Sequence, residues 1–319
     1  SKRNSKMFKG NILMLQRDIF IREIYKKMKK NNNIYFLSAD FGAQALDAVR
    51  KDFKKNFIHC GISEQAMLDM ATGLALEKKI VFVYAMAPFL SLRAIEQIKC
   101  GPGLMRLPIS ILSVGIGLGY ADSGPTHYAN EDFAAMRTIL GNSIYTISSP
   151  KQCAPLVEKI IKKPHFSYIR FDRDELPNLK DKITKKEIYD GFLLFGKPSK
   201  KKVLIISHGK TSHISFEIYK KNKSKFFFVD LIQSKPLPVK IIKLLSINKG
   251  IIVVDEQNVY GGLASCILEN CAEKNILKKI KTVCLPDKYI YENGGREFLL
   301  KKFKISYNGI MDKYKKFFK

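Results

Sequence analysis

Short apolar runs rich in β-branched residues alternate with stretches of helical periodicity along nearly the whole chain. That alternation calls for parallel strands buried on both faces by helices. A first set of strands is predicted at 34–40 (IYFLSAD), 57–60, 80–86 (IVFVYAM), 109–115 (ISILSVG), 144–149 and 167–171. A second follows at 203–209 (VLIISHG), 226–232, 250–256 (GIIVVDE) and 281–286. Between them, 172–202 is charged and broken by Pro and Gly, and reads as a linker carrying a short edge hairpin. With 319 residues there is chain for two cores. The predicted fold is therefore α/β, two doubly wound, mostly parallel domains at 8–180 and 188–319.

Composition removes several function classes. Hydrophobic residues make up 46% and charged residues 27%, which excludes a disordered chain. No apolar run approaches the ~20 residues of a membrane span. The basic start at 1–10 is followed by an apolar run that stops at Gln16 and Arg17, short of a signal-peptide core of about 7 to 15 residues. A soluble cytoplasmic protein is expected. The six cysteines are scattered with no CxxC pair, as reduced core thiols would be. A formal charge of +27 raises nucleic acid as a ligand, yet only ten of the 56 basic residues are arginine. The lysines are not interleaved with stacking aromatics, so solvated faces are the better reading.

Three segments that follow predicted strands carry the chemistry, because open α/β sheets place ligands at their strand ends. CGISEQAM (60–67) is a strand end, a glycine and a helix opening at Ser63 and Glu64; alone it reads as a capped helix. The helix is predicted to put Ala66, Met67, Met70, Leu74 and Ala75 on its apolar stripe. MAPFLSLRAIEQIK (86–99) repeats Phe89, Arg93 and Gln97 at helical spacing, and alone is an amphipathic helix. GIGLGYADSGPTHYANEDFAAMRTI (115–139) sets glycines, Asp122 and a Pro-Thr-His turn before a helix near Glu131. Such a loop on a rigid strand suits a binding site.

In this order and spacing the segments resemble the pyrimidine-binding domain of the thiamin diphosphate enzymes of the transketolase family. That family writes Gly-Ile-x-Glu-Gln/His-x-Met, Phe-x-x-Phe-x-x-x-Arg-x-x-Asp-Gln-Ile, and Gly-x-Gly-Glu-Asp-Gly-Pro-Thr-His followed by Glu-Asp-x-x-x-Met-Arg. QRDIF (16–20), SADFG (38–42) and YIRFDRDELP (168–177) resemble its opening helix, first strand and arginine turn. VDEQNVYGGLASCILE (254–269) resembles the signature of its C-terminal domain. The family's Gly-Asp-Gly…Asn motif, which holds Mg²⁺ and the cofactor's diphosphate, is not among these residues. The chain thus resembles the C-terminal half of a split transketolase. The resemblance implies a separate diphosphate-binding subunit that holds Mg²⁺, and a homodimer of this chain within a heterotetramer. The β subunit of 2-oxo-acid dehydrogenases ordinarily lacks Gly-Pro-Thr-His, and deoxyxylulose-phosphate synthase lacks the Glu-Asp…Met-Arg continuation present here at 131–137. A noncatalytic assembly subunit is the rival from another class.

The resemblance also assigns roles. Glu64 matches the carboxylate that hydrogen-bonds the cofactor's aminopyrimidine, and Phe89 an aromatic that packs on that ring. Arg93 falls with these cofactor-binding residues, as do Met86 and Leu92, which stand where many members have Phe and Tyr. His127 matches a histidine that reaches the donor sugar. Asp122 matches an acid contacting the C2 hydroxyl, although the loop is two residues longer than the family's, which leaves Ser123 and Tyr120 as alternatives. Arg17 and Arg173 match sugar-phosphate arginines. Ser113 falls where the family has a histidine and Gln44 near a serine, so the implied anion pocket is half kept.

Overall fold

The computed structural model describes residues 15–39 and 42–318. The expected domain start at 8, the basic leader and positions 40 and 41 of the 38–42 segment lie outside the described residues. The first part contains β1 (Ile34–Ala39), β2 (Phe57–Gly61), β3 (Ile80–Met86), β4 (Ile109–Val114), β5 (Ser143–Thr146) and β6 (Ser167–Phe171). Its helices are α1 (Gln16–Met28), α2 (Gln44–Asp52), α3 (Glu64–Leu76), α4 (Ile95–Ile98), α5 (Asp132–Thr138) and α6 (Cys153–Lys162). Then come α7 (Lys185–Asp190) and β7 (Phe192–Phe195). The second part adds β8 (Val203–Ser207), β9 (Phe226–Leu231), β10 (Gln233–Lys235), β11 (Gly250–Asn258) and β12 (Ile280–Leu285). With them are α8 (Lys210–Lys221), α9 (Val239–Ser246), α10 (Leu263–Glu273), α11 (Gly295–Lys302) and α12 (Tyr307–Phe318).

Two sheets result, β10-β5-β6-β4-β3-β1-β2 and β12-β11-β8-β9-β7. Ladders are parallel except at β10 and β7, each antiparallel at an edge. Both faces of the first sheet are covered, so the strand period of two divides each strand between two cores. Phe82 and Tyr84 of β3 pack with Phe20 and Ile24 of α1, Leu46 and Val49 of α2, and Leu156 and Ile160 of α6. Val81 and Val83 turn the other way, toward Met67, Leu68 and Ala71 of α3. That second cluster runs on through Phe133 and Met136 to Leu204, Phe227 and Leu263, so the two sheets share one continuous apolar core.

Three expectations are corrected. Residues 172–202 form no hairpin: α7 opens on a Thr184–Glu187 capping box, and β7 is a single edge strand whose partner is β9. The predicted α3 stripe is rotated. Glu64, Met67, Leu68, Ala71 and Ala75 are buried, while Ala66 and Met70 face outward. The period of 3.6 residues set by Leu68, Ala71 and Ala75 carries Glu64 inside, which a count of apolar residues alone does not reveal. Ser63 makes no side-chain cap bond.

Candidate active site

The chemistry-bearing segments meet at the C-terminal ends of β2, β3, β4 and β6, since parallel strands point these ends the same way. At the end of β2, Gly61 takes φ +66°, a left-handed turn that swings the chain into α3. Glu64 is the first residue of that helix, where the helix dipole favours a carboxylate, and it is buried. Its Oε2 accepts from Arg93 Nη1 at 2.6 Å. Its Oε1 takes no hydrogen bond from the described residues.

After β3 the chain enters a π-helical turn at Phe89–Arg93. The wider turn sets residues four apart almost in line, and the Arg93 guanidinium lies 4.5 Å from the Phe89 ring centroid. The same ring meets His127 edge to face at 5.5 Å. Met86, at the end of β3, is buried in the cluster that includes Phe89 and Tyr120. Leu92 is half exposed and is not part of that cluster.

The loop after β4 carries His127. Gly115 takes φ +83°, and a Cβ there would stand 1.9 Å from the Tyr120 ring, so only glycine lets Tyr120 fold back beneath the strand end. Gly117 and Ala129 exchange two backbone bonds of 3.1 and 3.0 Å, closing the loop. Thr126 Oγ1 lies 2.9 Å from His127 Nδ1. Just past β6 stands Arg173, its guanidinium 4.6 Å over Tyr120 and its Nη1 bonded to Asp122 Oδ1. The hydrogen bond from Arg173 holds the Asp122 carboxyl below the usual range. Burial pushes the Tyr120 hydroxyl up, while Arg17 and Arg173 beside it pull the other way. Arg17 therefore belongs to this corner through Tyr120.

Contacts thus chain Glu64, Arg93, Phe89, His127, Tyr120, Arg173 and Asp122 into one constellation. Ser113 does not join it. It is fully buried in β4 and its hydroxyl donates to Ile169 O at 3.1 Å, tying two strands together. Gln44 opens α2 as an exposed residue, and Ser123 is exposed on the loop.

Sequence reasoning missed what holds the loop. Gln257 of β11 accepts from Phe133 N through Oε1 (3.2 Å) and donates to Ala129 O through Nε2 (2.8 Å). Glu256 Oε2 accepts from Leu118 N at 3.2 Å, and Asn258 N bonds to Asn130 O at 3.0 Å. Arg296 of α11 binds both Asp172 oxygens, at 2.6 and 2.7 Å, and Glu256 at 2.8 Å. The only signal was the EQN run itself, whose partners on the loop lie more than 120 residues away.

Fold and site together define a two-domain α/β chain whose strand ends gather a buried carboxylate opening a helix and an aromatic and a histidine facing one another, with the second domain bracing the histidine loop. The model for "Transketolase, pyrimidine binding domain" matches residues 15–178, and that for "Transketolase, C-terminal domain" matches 196–310. The chain belongs to the transketolase family. It is 25% identical over 297 residues to a subunit of apulose-4-phosphate transketolase from Phocaeicola vulgatus, covering 90% of this chain and 93% of that protein. It is 30% identical over 270 residues to 1-deoxy-D-xylulose-5-phosphate synthase of Dictyoglomus thermophilum, covering 82% of this chain and 42% of that protein. A solved "split gene transketolase, inactive beta4 tetramer" superposes with TM-score 0.81 at 22% identity, over 95% of this chain and 98% of that one, which establishes the fold.

Proposed function

We propose that the chain is the C-terminal subunit of a thiamin diphosphate-dependent split transketolase that transfers a two-carbon ketol unit between sugars. The reading divides it into a pyrimidine-binding domain at 8–180 and a C-terminal domain at 188–319. A separate subunit carries the diphosphate and Mg²⁺ site, and a homodimer of this chain stands within a heterotetramer. The observation that carries the reading is Glu64: buried, oriented through one oxygen by Arg93, and open at the other. That open oxygen fits a ring nitrogen that must be hydrogen-bonded by a carboxylate. Coverage of 93% of a relative that is itself one named subunit of a transketolase supports the split arrangement, and the solved split-gene transketolase is an inactive β4 tetramer.

The bound cofactor supplies a nucleophilic carbon for the ketose carbonyl, and this chain supplies position and polarity. Glu64 accepts the hydrogen bond of the ring nitrogen, and Arg93 keeps the carboxylate aimed. Phe89, Met86 and Leu92 give the pyrimidine an apolar wall, where an aromatic contact contributes about 0.5 to 1.5 kcal/mol. His127 faces the sugar hydroxyls, and Arg17 and Arg173 form a cationic corner for the far end of the substrate. Among the described residues no helix is long and apolar enough to cross a membrane. All six cysteines are free thiols, which suits the reducing cytoplasm in which we place the protein.

Reconstitution tests the reading. The chain alone, given thiamin diphosphate and Mg²⁺, is expected to show no ketol transfer, and addition of a diphosphate-binding subunit is expected to produce it. Full activity of the isolated chain refutes the split arrangement.

A further inference from the structure

The cationic corner holds a carboxylate of its own. The loop after β4 is two residues longer than the pattern it resembles, and the extra length is compact. Tyr120 folds back over Gly115, and Ser123 N bonds to Tyr120 O at 2.9 Å, making a tight turn with Asp122 near its tip. Asp122 and Arg173 are 51 residues apart in the chain, yet their side chains are in direct ionic contact. The Arg173 guanidinium is held on two sides, by the Tyr120 ring below and by the Asp122 carboxylate at its Nη1 edge.

A guanidinium binds a phosphate through the same in-plane N–H groups it offers a carboxylate. A phosphate bound at Arg173 must therefore displace Asp122 or share the guanidinium with it, and sharing places two anions side by side. Because the hydrogen bond from Arg173 keeps the Asp122 carboxyl low, the competitor is charged across the physiological range. Both side chains are solvent-accessible, at 39% and 65%, so the competition is moderate and weakens with salt.

We propose that Asp122 is a specificity-determining residue, an internal anion on the lengthened loop that occupies Arg173 and disfavours sugars with a terminal phosphate relative to unphosphorylated ones. The proposal rests on the reading above that this corner receives the far end of a sugar substrate.

Two measurements on Asp122→Asn test it. In the reconstituted complex, the ratio of kcat/KM for fructose 6-phosphate to that for fructose is expected to rise about fivefold, through a lower KM for the phosphorylated donor. The gain should shrink at high ionic strength. In the isolated full chain, inorganic phosphate is titrated and followed by NMR shifts. Asp122→Asn is expected to bind it severalfold more tightly, and Asp122→Asn combined with Arg173→Ala should abolish the gain. A ratio and a phosphate affinity within twofold of the parent overturn the proposal, as does a fall in either, which would make Asp122 a substrate contact. If neither donor is turned over, the transketolase reading fails, while the phosphate titration still decides whether Asp122 blocks an anion site.

Discussion

Gln257 spans the backbone beyond the His127 turn, its amide donating to Ala129 O at 2.8 Å and accepting from Phe133 N at 3.2 Å. The bracket is buried and comes from the second domain. Replacement by Leu keeps the volume but leaves the Phe133 N–H without its acceptor and takes one of two donors from Ala129 O, which keeps Gly117 N. Each buried unsatisfied group costs about 1 to 3 kcal/mol. Gln257→Leu is expected to lower the free energy of urea unfolding by roughly that much or somewhat more, and to admit protease between residues 118 and 130. An unchanged midpoint and an intact loop would show that the bracket is redundant with the Asn258 and Glu256 contacts.

Glu64→Gln isolates charge from shape at the helix start. The amide can still meet Arg93, but it cannot supply a carboxylate to a ring nitrogen. Turnover of the reconstituted complex should fall roughly 100-fold or more, the scale of a lost acid–base contribution, while gel filtration shows assembly unchanged. Activity within a few-fold of the parent would remove Glu64 from the mechanism.

The parallel sheets were legible because β3, β4, β8 and β11 are apolar runs whose length and β-branching suit strands buried on two faces. β10 was not legible. Its three residues, Gln233, Ser234 and Lys235, carry no apolar signal, and they pair with β5 almost 90 residues earlier. The gathering of Glu64, Phe89 and His127 follows from parallel topology, which brings strand ends to one edge. Side-chain partnerships across the chain were beyond reach. Nothing near Asp122 in the sequence identifies Arg173 as its partner, and nothing near Ser113 shows that its hydroxyl is spent inside the sheet rather than offered to a pocket.

Arg170 and Asp132 form a fully buried pair, with Nε–Oδ2 at 2.7 Å and Nη2–Oδ1 at 2.9 Å. Tyr168 Oη also donates to Asp132, and Arg170 Nη1 to Thr146 Oγ1. Removing one charge leaves the other uncompensated, so Arg170→Met or Asp132→Leu alone should cost about 3 to 5 kcal/mol. The double variant should cost less than the two singles summed, with a coupling of about 0.5 to 3 kcal/mol in the denaturation cycle. Additive losses would mean that the two side chains do not act as a pair.

Two buried carboxylates of the second domain should show opposite pH slopes. Burial tends to raise Asp255, but His208, at 2.9 Å, and Arg170 outweigh it and hold the carboxyl below its ordinary value. A depressed folded pKa means that the unfolded chain binds the proton more readily. The stabilisation is therefore present above the unfolded carboxylate range, near pH ~4, and is lost as pH falls through the lower folded value. Asp230 is the reverse. Burial raises its carboxyl despite hydrogen bonds from Ser148, Ser212 and Gln152, so its contribution is fullest below about pH 4 and declines as pH rises through the elevated folded value. Urea midpoints from about pH 2.5 to 7 are the measurement. The advantage of the parent over Asp255→Asn should shrink on going from about pH 4 downward. Its advantage over Asp230→Asn should shrink, or reverse, on going from about pH 4 upward. Parallel slopes for the two variants would mean that His208 and Arg170 do not offset the burial of Asp255 as their positions require.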